Sequence, residues 1–335
     1  MPDSPSVLVV APNWLGDAVM ALPAIAGVRR RFASARLVVA ARGGVADLFR
    51  LVPGVDALVS ADPAGAREAG ASTAILLPNS FASAWLARRA GIQERWGYAA
   101  DLRSRLLTRA IRRPRTLVHQ AEYYQHLVRE LGIATGLLEP SLAIPSAAVS
   151  EAQALLTARG WDGVRPLIVL APGAAYGKAK QWIPSHVVRL VTDLARDRQA
   201  TCALVGSRGD AATTAAIRAA VPGDCRSRIL DLAGATTLPV LAALLSLSRA
   251  CVSNDSGAMH LAGAAGAPVV AIFGSTNERA TSPLARAGTP AEVLTHPVWC
   301  RPCMLRECPI DHRCMTGIEP RQVLAAVDRV ADLTA

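Results

Sequence analysis

The residue types best suited to chemistry concentrate in one stretch, Val252-Ser-Asn-Asp-Ser-Gly-Ala-Met-His-Leu-Ala-Gly-Ala-Ala-Gly-Ala-Pro268. It lies between the apolar runs Ala250–Val252 and Val269–Phe273, a pattern that predicts strand, tight turn, helix and strand. Asp255 or Ser256 is a suitable N-cap for a helix running to about Ala265. Backbone amides at that N-terminus, together with the helix dipole, suit a phosphate. Gly257 lets a ligand approach the backbone, and His260 follows one turn into the helix. An Asp or Ser at an N-cap is routine in α/β proteins, so this turn alone does not define a site. The next strand, however, runs into Phe273-Gly-Ser-Thr-Asn-Glu-Arg-Ala-Thr-Ser-Pro283. Two polar, glycine-bearing loops at neighbouring strand ends lie where open parallel sheets bind ligands.

Other loops carry compatible chemistry. The strand run Ser6–Ala11 leads into Pro12-Asn-Trp-Leu-Gly-Asp17, ahead of a helical pattern from Ala18 to about Phe32. Asp17 either caps that helix or projects as a general base. The loop lacks the GxGxxG spacing of a dinucleotide site. Between Ala171 and Trp182, Gly173, Gly177, Lys178 and Lys180 form a basic loop before a helix beginning near Pro184. Glycine and lysine ahead of a helix suit phosphate, without P-loop spacing. Asp210, in Gly206-Ser-Arg-Gly-Asp210, is placed to accept ribose hydroxyls or to cap the next helix. His119 and Glu122 share a helix face, as a solvated pair or as part of a cleft lining. Cys300, Cys303, Cys308 and Cys314 form C-x2-C-x4-C-x5-C near His296 and His312. That spacing admits a structural zinc, or equally a small loop packed by reduced thiols.

The supporting elements repeat an α/β rhythm. Further strands are expected at Arg36–Ala40, near Leu58, at Thr73–Leu77, Glu94–Tyr98, Leu167–Leu170 and Thr201–Val205. Pro140–Pro145 reads as a boundary, and a linking helix is expected from Ala147 to Arg159. The expected fold class is α/β with two Rossmann-like domains of parallel sheet, residues 1–145 and 146–335. The second would carry the cysteine cluster and an amphipathic C-terminal helix. With 335 residues, each domain can bury its own core. The first residues show no basic leader, and no apolar run is long enough to span a bilayer, so a cytoplasmic protein is expected. The formal charge of +10 favours an anionic partner. Part of it is a basic run from Arg103 to Arg115. Only 4% of residues are aromatic and no nucleic-acid motif appears, so no nucleic acid is expected as partner.

Taken together, Asn13-Trp-Leu-Gly-Asp17, the Pro172-Gly to Lys180-Gln-Trp182 loop, and Ser253-Asn-Asp-Ser-Gly-Ala-Met-His260 with Phe273-Gly-Ser-Thr276 resemble glycosyltransferase family 9, the ADP-heptose:lipopolysaccharide heptosyltransferases. The resemblance covers nearly the whole chain. Leu77-Pro-Asn-Ser-Phe81 is most similar to the heptosyltransferase II branch. The resemblance implies a GT-B fold, with two domains that close on a cleft. It implies inverting transfer of L-glycero-D-manno-heptose from ADP-heptose to the lipopolysaccharide inner core, at the cytoplasmic face of an anionic inner membrane. By the same resemblance Asp17 is the general base, and Asn79 and Ser80 lie on the acceptor side. Lys180 neutralises the diphosphate, Asp255 holds heptose hydroxyls, and Ser256, Gly257 and His260 form the diphosphate turn. Asp210 and Thr236 serve the nucleoside. Ala174-Ala175 and Ala235 depart from the residues common in that branch. No cofactor is expected to be required, with a structural zinc at the four cysteines as an option. The alternatives are another family 9 transferase (I, III or protein-directed), a GT-B nucleotide-sugar epimerase and a basic nucleic-acid binder.

Overall fold

Strands built from unbroken apolar runs must be covered on both faces, which requires parallel sheets flanked by helices. The computed structural model describes residues 6–333. The opening residues read above for a leader lie, up to residue 5, outside the described residues. The chain divides into two units, the first ending at Ala143 and the second beginning at Ile144.

The first unit contains β1 (Ser6–Val10), β2 (Arg36–Ala41), β3 (Ala57–Ser60), β4 (Thr73–Leu76), β5 (Glu94–Tyr98) and β6 (Arg109–Ile111). They form one sheet in the order β3-β2-β1-β4-β5-β6, with every pairing parallel. The second unit contains β7 (Leu167–Ala171), β8 (Thr201–Leu204), β9 (Ile229–Asp231), β10 (Ala250–Asn254), β11 (Val269–Phe273) and β12 (Ala291–Thr295). Its order is β12-β11-β10-β7-β8-β9, again all parallel. Each sheet therefore reverses direction once, between β1 and β4 and between β7 and β10. Ligands in doubly wound sheets bind beyond the carboxyl ends of strands at such a reversal.

Burial follows the sequence pattern. All residues of β1, β7, β10 and β11 are buried. The edge strands β3 and β12 are half-exposed. One expected helix divides into two: Leu15–Met20 and Leu22–Arg31 meet at Ala21, with Pro23 in the first turn of the second. A proline there restarts a helix because its missing amide hydrogen is not needed. The helix Gly257–Ala265 is buried almost throughout and ends at Gly266, whose φ of 86° is left-handed. A side chain at Gly263 would collide with the Leu284 carbonyl, so the small residues of this helix are a packing requirement. The C-terminal helix Pro320–Ala331 contributes Val323, Ala326 and Val327 to the second core beside Leu190, Val191 and Leu194 of the helix Pro184–Asp197.

The basic run starting at Arg103 does not form a single surface. Arg103 is 0% exposed. Its Nε donates to the Tyr98 carbonyl at 3.0 Å, and Nη1 donates to the carbonyls of Pro78 and Ser80 and to Ser83 Oγ. Burial lowers its pKa to about 10, with Asp101 opposing, so at neutral pH the charge remains. This cation ties the turn after β4 to the end of β5. Arg103→Ala would remove these charged hydrogen bonds, leaving the Pro78 and Ser80 carbonyls to Ser83, and is expected to destabilise the protein by about 2–3 kcal/mol. Urea unfolding measures the loss, and an unchanged midpoint would contradict the clamp.

Candidate active site

In the second unit the site is assembled at the reversal between β7 and β10. Asn254 ends β10 and is buried. Its Nδ2 donates to the Pro172 carbonyl at 2.7 Å, and its Oδ1 accepts from the Trp182 amide at 3.0 Å. One side chain thus fastens both ends of the basic loop after β7. The loop is held close enough for Lys180 Nζ to reach Asp255 Oδ2 at 2.6 Å. Thr276 Oγ1 donates to the same oxygen at 2.7 Å from the loop after β11. Two neighbouring loops therefore converge on Asp255, which is 6% exposed.

Asp255 does not cap the helix that follows it. Ser256 occupies the cap position in extended backbone, and its side chain makes no capping bond. Its Oγ lies 3.0 Å from Ser253 Oγ instead. The first-turn amides beginning at Gly257 are therefore left without a side-chain cap, beside the Lys180–Asp255 pair. Such an N-terminus carries about half a positive charge and presents donors to an anion. His260 is buried in the same helix.

Asp210 follows β8, the neighbour of β7. Its Oδ2 accepts from the Ser207 amide at 2.8 Å and from Ser207 Oγ at 2.7 Å, a reciprocal capping box. The carboxyl group packs against Gly173, where any side chain would strike it. Capping therefore accounts for one oxygen of Asp210. Thr236 is half-buried in the turn after β9, next to Thr237, which caps the helix Leu238–Ser246.

In the first unit, Asp17 stands half-buried in the first turn of Leu15–Met20, after β1. It is not the cap residue, which is Trp14. Burial, and then the charge of Asp17, push the Tyr124 hydroxyl well above its ordinary pKa. Asn79 and Ser80 follow β4, across the reversal from β1. Asn79 Nδ2 donates to Tyr123 Oη at 2.9 Å. Ser80 caps the helix Phe81–Arg89 by accepting from the Ser83 amide at 3.3 Å. His119 caps the helix Gln120–Glu130, and Glu122 pairs with Arg129 at 2.7 Å.

The loop after β12 braces the second-unit site. Arg301 donates to the Gly274 carbonyl and pairs with Glu278, each at 2.8 Å. The Met304 amide donates to the Ser275 carbonyl, and the Met304 carbonyl accepts from Tyr176 Oη at 3.0 Å. The Ala179 amide donates to the Arg306 carbonyl at 2.9 Å. This loop also holds Cys300, Cys303 and Cys308, and Cys314 follows in the short helix Arg313–Thr316. Burial, then the charges of Cys308, Cys300 and Cys303, push the Cys314 thiol up. All four are free thiols, and among the described residues no group of three or more His, Cys, Asp or Glu side chains is arranged to hold a metal.

Two doubly wound parallel sheets in one chain, with polar loops at each reversal, define the GT-B class. A solved structure of the same architecture is that of the Escherichia coli ADP-heptose lipopolysaccharide heptosyltransferase II. It superposes with a TM-score of 0.84 at 27% identity, covering 97% of this chain and 98% of that one. The model of glycosyltransferase family 9 (heptosyltransferase) matches residues 66–313. The chain belongs to that family, and the epimerase and nucleic-acid readings give way to glycosyl transfer. Lipopolysaccharide heptosyltransferase 2 of Escherichia coli (strain K12) is 31% identical over 314 residues, covering 86% of this chain and 88% of that protein. Lipooligosaccharide heptosyltransferase 2 of Haemophilus influenzae is 29% identical over 303 residues, covering 85% and 87%.

Proposed function

We propose that the chain transfers L-glycero-D-manno-heptose from ADP-heptose to heptosyl-Kdo2-lipid A, adding the second heptose of the lipopolysaccharide inner core with inversion at the anomeric carbon. The observation that carries the reading is the Lys180–Asp255–Thr276 cluster beside an uncapped helix N-terminus, in a chain similar over most of its length to heptosyltransferases 2.

In this reading the diphosphate lies against the amides at Gly257, with Ser256 and His260 beside it. Lys180 meets the negative charge that grows as ADP departs, which is where electrostatic stabilisation contributes most. Asp255 takes sugar hydroxyls with the oxygen not used by Lys180 and Thr276. Asp210 and Thr236 serve the nucleoside. The acceptor belongs to the first unit, with Asn79 and Ser80 beside it, and Asp17 removes the proton of the attacking hydroxyl. A single displacement needs one base and one stabilised leaving group.

No helix among the described residues is long and apolar enough to cross a membrane. The +10 charge suits attraction to an anionic inner-membrane surface bearing a phosphorylated glycolipid. Because Lys180 and the helix N-terminus supply positive charge at the diphosphate, transfer is expected to proceed without an added divalent ion. The test is ADP release from ADP-heptose. It should require heptosylated acceptor and persist in EDTA. Release or epimerisation at full rate without acceptor would overturn the reading, and activity restored only by a metal would overturn its electrostatic part.

A further inference from the structure

We propose that Arg306 is a second cation for the leaving diphosphate, acting beside Lys180; the proposal rests on the ADP-sugar reading above. Lys180 shares its charge with Asp255 at 2.6 Å. That pair and a helix N-terminus worth about half a charge leave a multiply charged diphosphate under-compensated. Another cation is needed on the Lys180 side of the site.

Arg306 meets the requirement by position. Its carbonyl accepts from the Ala179 amide, one residue before Lys180. Its backbone lies so close to Gly177 that a side chain there would strike it, so the two loops are in direct contact. The guanidinium carbon is 5.1 Å from the centre of the Tyr176 ring, and Lys180 Nζ is 4.9 Å from the same centre. Tyr176 is itself held to the Arg306 loop through the Met304 carbonyl. One aromatic ring therefore gathers both cations by cation–π attraction. Arg306 is exposed, and no carboxylate among the described residues pairs with it. A planar guanidinium can bind two phosphate oxygens at once, a geometry that lysine lacks.

The experiment is calorimetric titration of the full chain and of Arg306→Ala and Arg306→Lys with ADP and with AMP. Arg321→Ala serves as a control for net charge, and thermal melting monitors the fold. For Arg306→Ala the expected result is about tenfold weaker ADP binding, less than threefold change for AMP, and a wild-type melting curve. Arg306→Lys should regain part of the loss, and Arg321→Ala should match wild type. Wild-type ADP affinity in Arg306→Ala, or equal weakening of ADP and AMP, would overturn the assignment while leaving the donor reading intact. A native chain that binds no ADP would overturn both.

Discussion

Asp17→Asn is expected to lower the rate of heptosyl transfer by about 10²–10⁴-fold, the usual contribution of a general base. Asn keeps the shape of Asp and stays compatible with the first turn of Leu15–Met20. Trp14, not residue 17, is the cap, and Asn keeps a hydrogen-bonding side chain at the same position. Folding should therefore be close to wild type. ADP affinity should also hold within about twofold, since donor binding is assigned to the second unit. Steady-state kinetics with saturating ADP-heptose, alongside ADP titration, read the two effects separately. A mutant with more than about a tenth of wild-type turnover would remove Asp17 as the base.

The second large effect is expected at Lys180. Lys180→Ala removes the cation opposite the leaving diphosphate, and loss of one such group costs about 10²–10³-fold in turnover. It also leaves the Asp255 carboxylate buried with Thr276 as its remaining partner. Removing one member of a buried pair destabilises by about 3–5 kcal/mol. The double variant Lys180→Ala with Asp255→Asn separates the two consequences. Neutralising the abandoned carboxylate should restore most of the stability and none of the turnover. If both recover together, the pair would be a structural brace rather than leaving-group machinery.

The central strands were legible because the interior of a parallel sheet demands continuous apolar residues. β1, β2, β4, β7, β8, β10 and β11 all announce themselves this way. β6, β9 and β12 do not, because they lie at sheet edges or are only a few residues long, where packing imposes less pattern. The break at Ala21 was hidden because both helices present apolar residues to the same core. Pro23, lying inside the apparent helix, was the available signal.

At the site, Asp255 and Lys180 could be named from their loops, but not their contact. They are 75 residues apart and meet only through the strand order. Thr276 lay within the glycine-bearing loop after β11, yet its role depends on β10 and β11 being neighbours. Asn254 looked like one more polar turn residue, although it fastens the loop that carries Lys180. Arg103 was concealed by company. Five further arginines follow it by Arg115, and a run of cations reads as solvated surface. Only the tertiary structure shows that the first member is fully buried among carbonyls. Resemblance supplied the chemistry of the loops, and topology explains why they converge.

The most direct measurement is the mass of the acceptor after incubation of the purified chain with ADP-heptose and either heptosylated or unheptosylated Kdo2-lipid A. A gain of one heptosyl residue on the heptosylated acceptor alone is the predicted result. A gain on the unheptosylated acceptor alone, or on neither while ADP-heptose is still bound, would contradict the assignment of this enzyme to the second heptose.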